Sequence, residues 1–248
     1  MAHDWTPLRN ALAACRRDGV AVPFWWRDDD AIAATPALTR LGELSADCAL
    51  PVHLAVIPAH ADQTVVDGAA RFGMIPVVHG WAHADHSGGV GKKNEFQTPR
   101  TAAVDEAAQG LARMRMLFGD ALCPIFVPPW NRIAETVTKT LGEQGFTALS
   151  TFGPRPASEA AKGVAQINTH IDPIWWKGTR DLVDPAQLIA QAAAHLDARR
   201  RGQEDADEPL GYLTHHLVHT DAIWGFSREF IHEMMSGGAT PWTLETRT

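Results

Sequence analysis

Short apolar segments with the composition of buried strands alternate with helical segments about seven times along this chain. The segments 51–58, 123–128 and 210–216 are apolar runs of strand length, and amphipathic segments such as 99–118 and 184–201 lie between them. Strands that alternate with helices in this way predict a mainly parallel sheet, which is either open or closed as a barrel. The acidic segment GQEDADEP at 202–209 is expected to be a mobile surface loop.

Composition excludes several classes of protein. The 248 residues carry a formal net charge of −7 without a basic patch, so nucleic acid is not an expected partner. Three cysteines at distant positions predict neither a disulfide framework nor a cysteine zinc site. No secretory signal and no apolar run of membrane-spanning length is recognisable. We therefore expect one cytoplasmic domain over residues 1–248, with no membrane span; its oligomeric state stays open.

Three consecutive aspartates, Asp28, Asp29 and Asp30, close the apolar run VAVPFWWR at 20–27. Neighbouring carboxylates at the end of a buried strand repel one another, and this costs free energy unless a cation, an arginine or a catalytic role compensates it. An exposed turn with an aspartate helix cap is the alternative. Other polar clusters also follow predicted strands, and in a barrel such strand ends form the active site.

Two histidines, His79 and His83, follow the strand-like segment MIPVVHG at 74–80. Their spacing of four residues places both imidazoles on the same side of a helical turn, which suits metal binding. Catalytic zinc is often held by two histidines and one carboxylate, with one position open to water. An incidental pair of histidines is the alternative, and the nearby aspartates favour the metal site.

Five segments in order, WRDDD, HGWAH, FVPPWN, IDPIWW and LTHH, span residues 20 to about 220. Their order resembles the motifs TFDDG, HSxxH, RxPY, DxxDW and LxH of the metal-dependent polysaccharide deacetylases of the NodB-homology type. The second segment matches closely and the others more loosely. The resemblance implies a distorted (β/α) barrel with mainly parallel strands and about seven β/α units.

The resemblance permits two registers for the aspartates. The ungapped register makes Asp28 the general base and Asp29 the metal ligand, and it leaves Asp30 at the glycine position. Family variants that read Arg-x-Asp-Asp would instead make Asp29 the base and Asp30 the ligand. We prefer the ungapped register. In either register His79 and His83 are the other ligands, and the expected cofactor is a divalent metal, with zinc as the first choice.

The third segment departs from the family motif. Val127 replaces the arginine that orients the base aspartate, and Arg27 or Arg132 is a candidate to supply the missing guanidinium. Trp130 stands at the tyrosine position, and its backbone N–H is expected to help hold an oxyanion.

The fourth segment contributes Asp172 to the catalytic residues that the resemblance implies. In the family this aspartate pairs with the arginine that is missing here, so Asp172 is expected to have another partner. Trp175 and Trp176 follow it, and either indole can stack on a sugar or pack in the core; we expect the core for one of them.

The fifth segment implies His215 as the general acid, and His216 and His219 are nearby alternatives. The family chemistry is hydrolysis of an acetyl amide by metal-activated water, so the expected substrate is an N-acetylated sugar, either small or an oligosaccharide, or a related small amide. Two alternatives remain. One is a catalytically impaired carbohydrate-binding barrel, and the other is a metal-dependent hydrolase of a non-sugar C–N bond.

Overall fold

The computed structural model describes residues 3–244, which form strands and helices in the predicted alternation. The helices are α1 (Thr6–Arg17), α2 (Pro36–Cys48), α3 (Gln63–Phe72), α4 (Ala102–Phe118), α5 (Glu135–Thr138), α6 (Leu141–Gln144), α7 (Pro185–Arg200) and α8 (Asp221–Ser236). The strands are β1 (Pro23–Ala31), β2 (Val52–Val56), β3 (Ile75–His79), β4 (Ile125–Val127), β5 (Ala148–Leu149), β6 (Glu159–Ala161), β7 (Val164–Gln166), β8 (Leu210–Thr214) and β9 (Thr240–Pro241).

The strands form one sheet in the order β6-β7-β5-β4-β3-β2-β1-β8, with β9 beside β1. Every pairing is parallel except the β6–β7 hairpin. Beyond β7 the chain continues to Ile171, which pairs in parallel with Tyr212 of β8. The amide of Leu213 donates to the Ile171 carbonyl at 2.8 Å, so the segment after β7 pairs with β8 and brings the two sides of the curled sheet together. The prediction of a distorted (β/α) barrel with about seven units is confirmed.

Two apolar clusters fill the space on the two faces of the curled sheet. The inner cluster takes residues from successive strands and lies inside the barrel: Trp25, Ala55, Val77, Ile125, Val127, Ala148 and Ile167. The larger cluster packs the outer face of the strands against the helices and includes Phe24 and Trp26. Neighbouring residues of β1 therefore face opposite clusters, as the two-residue period of a strand requires.

Several sequence expectations were wrong in detail. Strand β1 continues through the three aspartates to Ala31 instead of ending before them. Between β4 and β5 the chain forms two short helices, α5 and α6, and β6 forms a hairpin with β7. The acidic segment 202–209 is held in place by Glu208, which is buried and accepts hydrogen bonds from the amides of Arg155 and Asn168. Within residues 3–244 no helix has the length and apolar character needed to cross a bilayer.

Candidate active site

The polar residues singled out in the sequence gather at one end of the barrel, where the parallel strands end. Asp28, Asp29 and Asp30 lie in the last half of β1, His79 is the last residue of β3, and His215 follows β8 directly. This is the end at which (β/α) barrels carry their active sites.

Strand alternation sends the first two aspartates to opposite faces. Trp25 belongs to the inner cluster and Trp26 to the outer one, so Asp29 points into the barrel and Asp28 points toward the helices. The register with β2 shifts between Asp28 and Ala31. At this irregularity Asp30 adopts a left-handed conformation, with φ of 76°. The bulge redirects its side chain toward β3.

Asp30, His79 and His83 form a cluster whose ligand atoms all lie within 4.8 Å of one another. Asp30 Oδ1 is 3.1 Å from His79 Nε2 and 3.3 Å from His83 Nε2. The other ring nitrogen of His79, Nδ1, is 2.9 Å from the Val127 carbonyl oxygen, which orients the imidazole. Two imidazoles and one carboxylate are a donor set that suits zinc. The structure brings Asp30 to the two histidines, where the preferred register had Asp29.

The electrostatics of the cluster favour a negative Asp30. Burial opposes its ionisation, but the hydrogen bond and positive charge of His79 outweigh burial and hold its pKa far below the usual range. Burial likewise opposes the charged form of His79, and Asp29 and Asp30 together raise the pKa of this imidazole. Burial and the charge of His79 lower the pKa of His83. The Asp30 carboxylate is therefore ionised, as a metal ligand must be.

Asp29 is held by Arg27, two residues earlier on the same face of β1. Arg27 Nε donates to Asp29 Oδ1 at 2.9 Å, and its second terminal nitrogen donates to Oδ2 at 3.0 Å. The guanidinium also donates to the Ser150 hydroxyl at 2.7 Å and to the Asn131 side-chain oxygen at 2.7 Å. Arg132, the other candidate, donates to the Lys93 carbonyl instead. Of the two candidates for the missing guanidinium, Arg27 is therefore the one that contacts an aspartate of the cluster.

Asp28, the preferred base from sequence, is fully buried on the outer face and has its own partners. Its Oδ1 lies 2.5 Å from His216 Nδ1, and its Oδ2 accepts from the Thr214 hydroxyl at 2.6 Å and the His216 amide at 3.0 Å. Burial would raise its pKa, but the charge and hydrogen bond of His216 lower it. A carboxylate enclosed in this way cannot reach a substrate on the inner face.

His215 is the histidine of the fifth segment that faces the inner aspartates. Its Nε2 lies 3.9 Å from Asp29 Oδ2, and its ring packs edge-on against Trp176 with centroids 4.7 Å apart. His216 points to Asp28, and His219 Nε2 accepts from the His215 amide at 3.3 Å. The three histidines thus have three different environments.

The partner of Asp172 is the indole of Trp176, and not an arginine. Asp172 Oδ2 accepts from the Trp176 indole N–H at 2.7 Å, and Oδ1 accepts from the Ile174 amide at 2.9 Å. Burial raises the pKa of Asp172, and the nearby His215 opposes that rise only in part. The expectation that one of the two tryptophans packs in the core is wrong, since Trp175 is 52% exposed and Trp176 is 42% exposed.

Trp130 lies beside the metal-ligand cluster. Its ring centroid is 4.2 Å from that of His83, and its backbone is left-handed, with φ of 56°. His83 is also left-handed, with φ of 55°. Such conformations cost about 1–3 kcal/mol each for residues other than glycine and often occur at functional sites.

Glu95 is a site residue whose role the sequence did not reveal. It is fully buried and accepts hydrogen bonds from the amides of Trp81 at 3.2 Å and Ala82 at 2.8 Å. Gly80 has φ of 57°, and an added Cβ there would lie 2.3 Å from Glu95 Oε2 and 2.5 Å from Pro129 Cδ. The glycine that replaces the family's serine or threonine therefore leaves room for Glu95 to hold the histidine loop.

No protein-family model and no curated protein sequence matches the chain. Several solved structures match the chain. A protein from Mycobacterium smegmatis assigned as a polysaccharide deacetylase has a TM-score of 0.58 and 18% identity, over 86% of this chain and 81% of that chain. A family 4 carbohydrate esterase from Streptomyces lividans, in complex with acetate, has a TM-score of 0.56 and 12% identity, over 90% of this chain and 93% of that chain.

A third similar structure is a mutant of a CE4 family pseudoenzyme with restored enzymatic activity. Its TM-score is 0.56 and its identity 13%, over 89% of this chain and 65% of that chain. At these identities the likeness concerns the fold, which this chain shares over most of its length.

Proposed function

We propose that this chain, whose fold is that of the polysaccharide deacetylases, is a metal-dependent enzyme that removes the acetyl group from an N-acetylated sugar. One observation carries the proposal: a possible metal cluster, an arginine-held carboxylate and a histidine lie together at the carboxyl end of the barrel strands. These are the groups that hydrolysis of an amide needs: a metal site, a base and an acid. The residue assignments follow the second register of the aspartates.

Asp30, His79 and His83 would hold the metal, and the donor set favours zinc. A divalent ion bound there would polarise the acyl oxygen of the substrate and lower the pKa of water from about 15.7 toward about 7. The acetate in the Streptomyces lividans esterase complex agrees with this reaction, because acetate is the acid that deacetylation releases.

Asp29 is the general base. Arg27 binds both of its oxygens in a bidentate pair, which fixes the carboxylate in one orientation. Each oxygen keeps a free lone pair, so Asp29 can take a proton from the attacking water. The oxygen of that water forms a bond to the acetyl carbon, and the carbonyl oxygen becomes an oxyanion, which the Trp130 amide would help to stabilise.

His215 is the general acid. Its Nε2 donates a proton to the amide nitrogen as the C–N bond breaks, so the products are acetate and a free amine. The electrons of the broken C–N bond stay on the nitrogen. The proton that Asp29 takes from water equals the proton that His215 gives to the nitrogen, so the overall hydrolysis is balanced. Asp172 is a positioning residue, because it holds the indole of Trp176 against the ring of His215.

The alternative of an impaired carbohydrate-binding barrel depended on the missing arginine of the third segment. Arg27 supplies a guanidinium to the base aspartate from β1, so the main sequence argument for that alternative no longer applies. Hydrolysis of a non-sugar C–N bond would use the same residues, and a panel of N-acetylated sugars and simple amides separates it from the proposal.

The two aspartate registers predict opposite outcomes for two matched substitutions. We expect Asp30→Asn to lose bound zinc, because it removes the ligand charge. We expect Asp29→Asn to keep zinc and lose turnover by about 100-fold or more, because it removes the base. Zinc content by mass spectrometry and acetate release from N-acetylglucosamine oligomers measure the two effects.

The opposite pattern, with zinc lost in Asp29→Asn and kept in Asp30→Asn, would restore the register preferred from sequence. Full zinc content and full turnover in His79→Ala would disprove the site as a whole.

A further inference from the structure

A second group of metal-ligating side chains lies between α2 and α8. Asp47 and Cys48 are the last two residues of α2, and His232 lies in the second half of α8. Each residue offers one ligand atom, namely a carboxylate oxygen, the Cys48 Sγ and an imidazole nitrogen, and these atoms all lie within 4.8 Å of one another. We call these three residues the interhelix cluster.

The interhelix cluster lies at the opposite end of the barrel from the candidate active site. Helix α2 begins after the aspartates of β1 and ends at Cys48, just before β2 begins at Val52. Helix α8 runs in the same direction after β8, and the strand that follows it, β9, pairs with the first residues of β1. A metal bound to this cluster would therefore be separate from one bound to Asp30 and His79.

The donor set of the cluster suits zinc, which proteins bind through cysteine, histidine and aspartate. Cys48 is only 5% exposed, whereas the side chains of Asp47 and His232 are 44% and 51% exposed, so water can supply the remaining ligand. Burial raises the pKa of the Cys48 thiol to about 11. The thiol would release its proton to solvent as the metal–sulfur bond forms.

The end of α2 also favours a cation. The last carbonyls of a helix carry a partial negative charge, and the last turn of α2, residues 45–48, contains no basic residue. Arg228, one turn before His232 on α8, supplies a positive charge through an ion pair with Asp47. Both side chains of this pair are about half exposed, and exposed pairs contribute little to stability. A metal ion can therefore replace the guanidinium at small cost.

We propose that the interhelix cluster binds a zinc ion, which replaces Arg228 at Asp47 and ties α2 to α8. The ion stabilises the fold, because its three ligands come together only in the folded chain. This inference goes beyond the proposed function and is independent of it, since the cluster contains no residue that takes part in the proposed hydrolysis.

Cobalt(II) distinguishes the two sites, because a cobalt–thiolate bond gives a charge-transfer band in the near ultraviolet and the candidate active site has no sulfur ligand. All titrations use His79→Ala, which removes a ligand of the candidate active site. We expect this variant to bind cobalt with the thiolate band, and zinc to displace the cobalt. Zinc content at the candidate active site is correspondingly measured in a His232→Ala background.

Two substitutions one turn apart on α8 have opposite expected effects. His232→Ala removes a ligand and should raise the Kd for cobalt by about tenfold or more. Arg228→Ala removes the competing cation and should lower that Kd. Cys48→Ala should abolish the thiolate band, and Cys15→Ala, which removes another buried thiol, should retain it.

Thermal unfolding gives a second measurement. Zinc should raise the Tm of His79→Ala and leave that of the double variant His79→Ala, His232→Ala unchanged. A missing thiolate band, or a Kd that His232→Ala does not change, would overturn the metal site. A Kd that is unchanged or higher in Arg228→Ala would overturn the exchange at Asp47, and equal Tm shifts in the two backgrounds would overturn the link between the helices. Acetate release is not measured, so a failure of the proposed function leaves these outcomes unaffected.

Discussion

Arg27 holds Asp29, the aspartate that we propose as the general base. It lies on the same face of β1 as Asp29, and both side chains are almost completely buried. A buried carboxylate without a partner would take up a proton or destabilise the fold. The bidentate pair keeps Asp29 in place, and Ser150 and Asn131 in turn hold the guanidinium.

Arg27→Lys tests this role. Lysine keeps the charge but cannot form two parallel hydrogen bonds, so the carboxylate loses its fixed orientation. We expect kcat to fall by about 100-fold, because small displacements of a catalytic group have effects of that size, while zinc content stays normal. Arg132→Lys, on the neighbouring loop, is the matched control and should leave kcat unchanged. Equal loss of kcat in both variants would show that Arg27 has no special role.

The loop after β3 carries His83, which lies beside His79 in the candidate metal cluster. Glu95 accepts hydrogen bonds from three amides of this loop, those of Trp81, Ala82 and Ala84. Gly80 provides the space that the Glu95 carboxylate occupies. We therefore expect the position of His83 in the candidate metal cluster to depend on Glu95.

Gly80→Ala should weaken zinc binding about tenfold or more, because the added Cβ displaces Glu95 or Pro129 and moves the histidine loop. Gly88→Ala is a close control, since Gly88 also has positive φ, 64°, but a Cβ there meets no atom within 4 Å. Both substitutions strain the backbone, because alanine disfavours positive φ, but only Gly80→Ala also brings its Cβ into a clash. Competition with a zinc chelator measures the difference, and equal affinities in the two variants would contradict this account.

The chain after β9 packs against β1 and β2 at the end of the barrel opposite the candidate site. Trp242 donates its amide to the Phe24 carbonyl at 2.9 Å, and its ring packs against those of Trp25 and His53. His53 is fully buried there, and burial lowers its pKa to about 4. The neutral imidazole is thus part of the folded barrel.

This burial predicts a loss of stability in mild acid. The unfolded chain binds a proton at His53 near pH 6.5, whereas the folded chain binds it only near pH 4, so stability falls as the pH decreases from 6.5 to 4. Between pH 7 and pH 5 the loss from His53 is about 2 kcal/mol. Urea unfolding of the zinc-free protein measures it, and His53→Gln should show a correspondingly shallower pH dependence. A slope identical to that of the wild type would mean that His53 is not the group responsible.

The order of elements and the location of the site are readable from the chain alone. Apolar periodicity predicts the alternation of strands and helices, because each element must bury one face. The order of the five segments indicates the polysaccharide deacetylase fold, and the polar residues at strand ends indicate which end of the barrel carries the candidate site. These are local properties of sequence, and the structure agrees with them.

The roles of the individual aspartates depend on contacts between distant parts of the chain. Strand alternation places the side chains of Asp28 and Asp29 on opposite faces of the sheet. The two apolar clusters determine which face lies inside the barrel, and a bulge turns the side chain of Asp30 toward His79. Two distant residues reach these positions only when the barrel forms: His216, the partner of Asp28, and Asn131, which holds the guanidinium of Arg27 beside Asp29. A run of three identical residues contains no local signal that distinguishes them, so their different surroundings follow from three-dimensional packing.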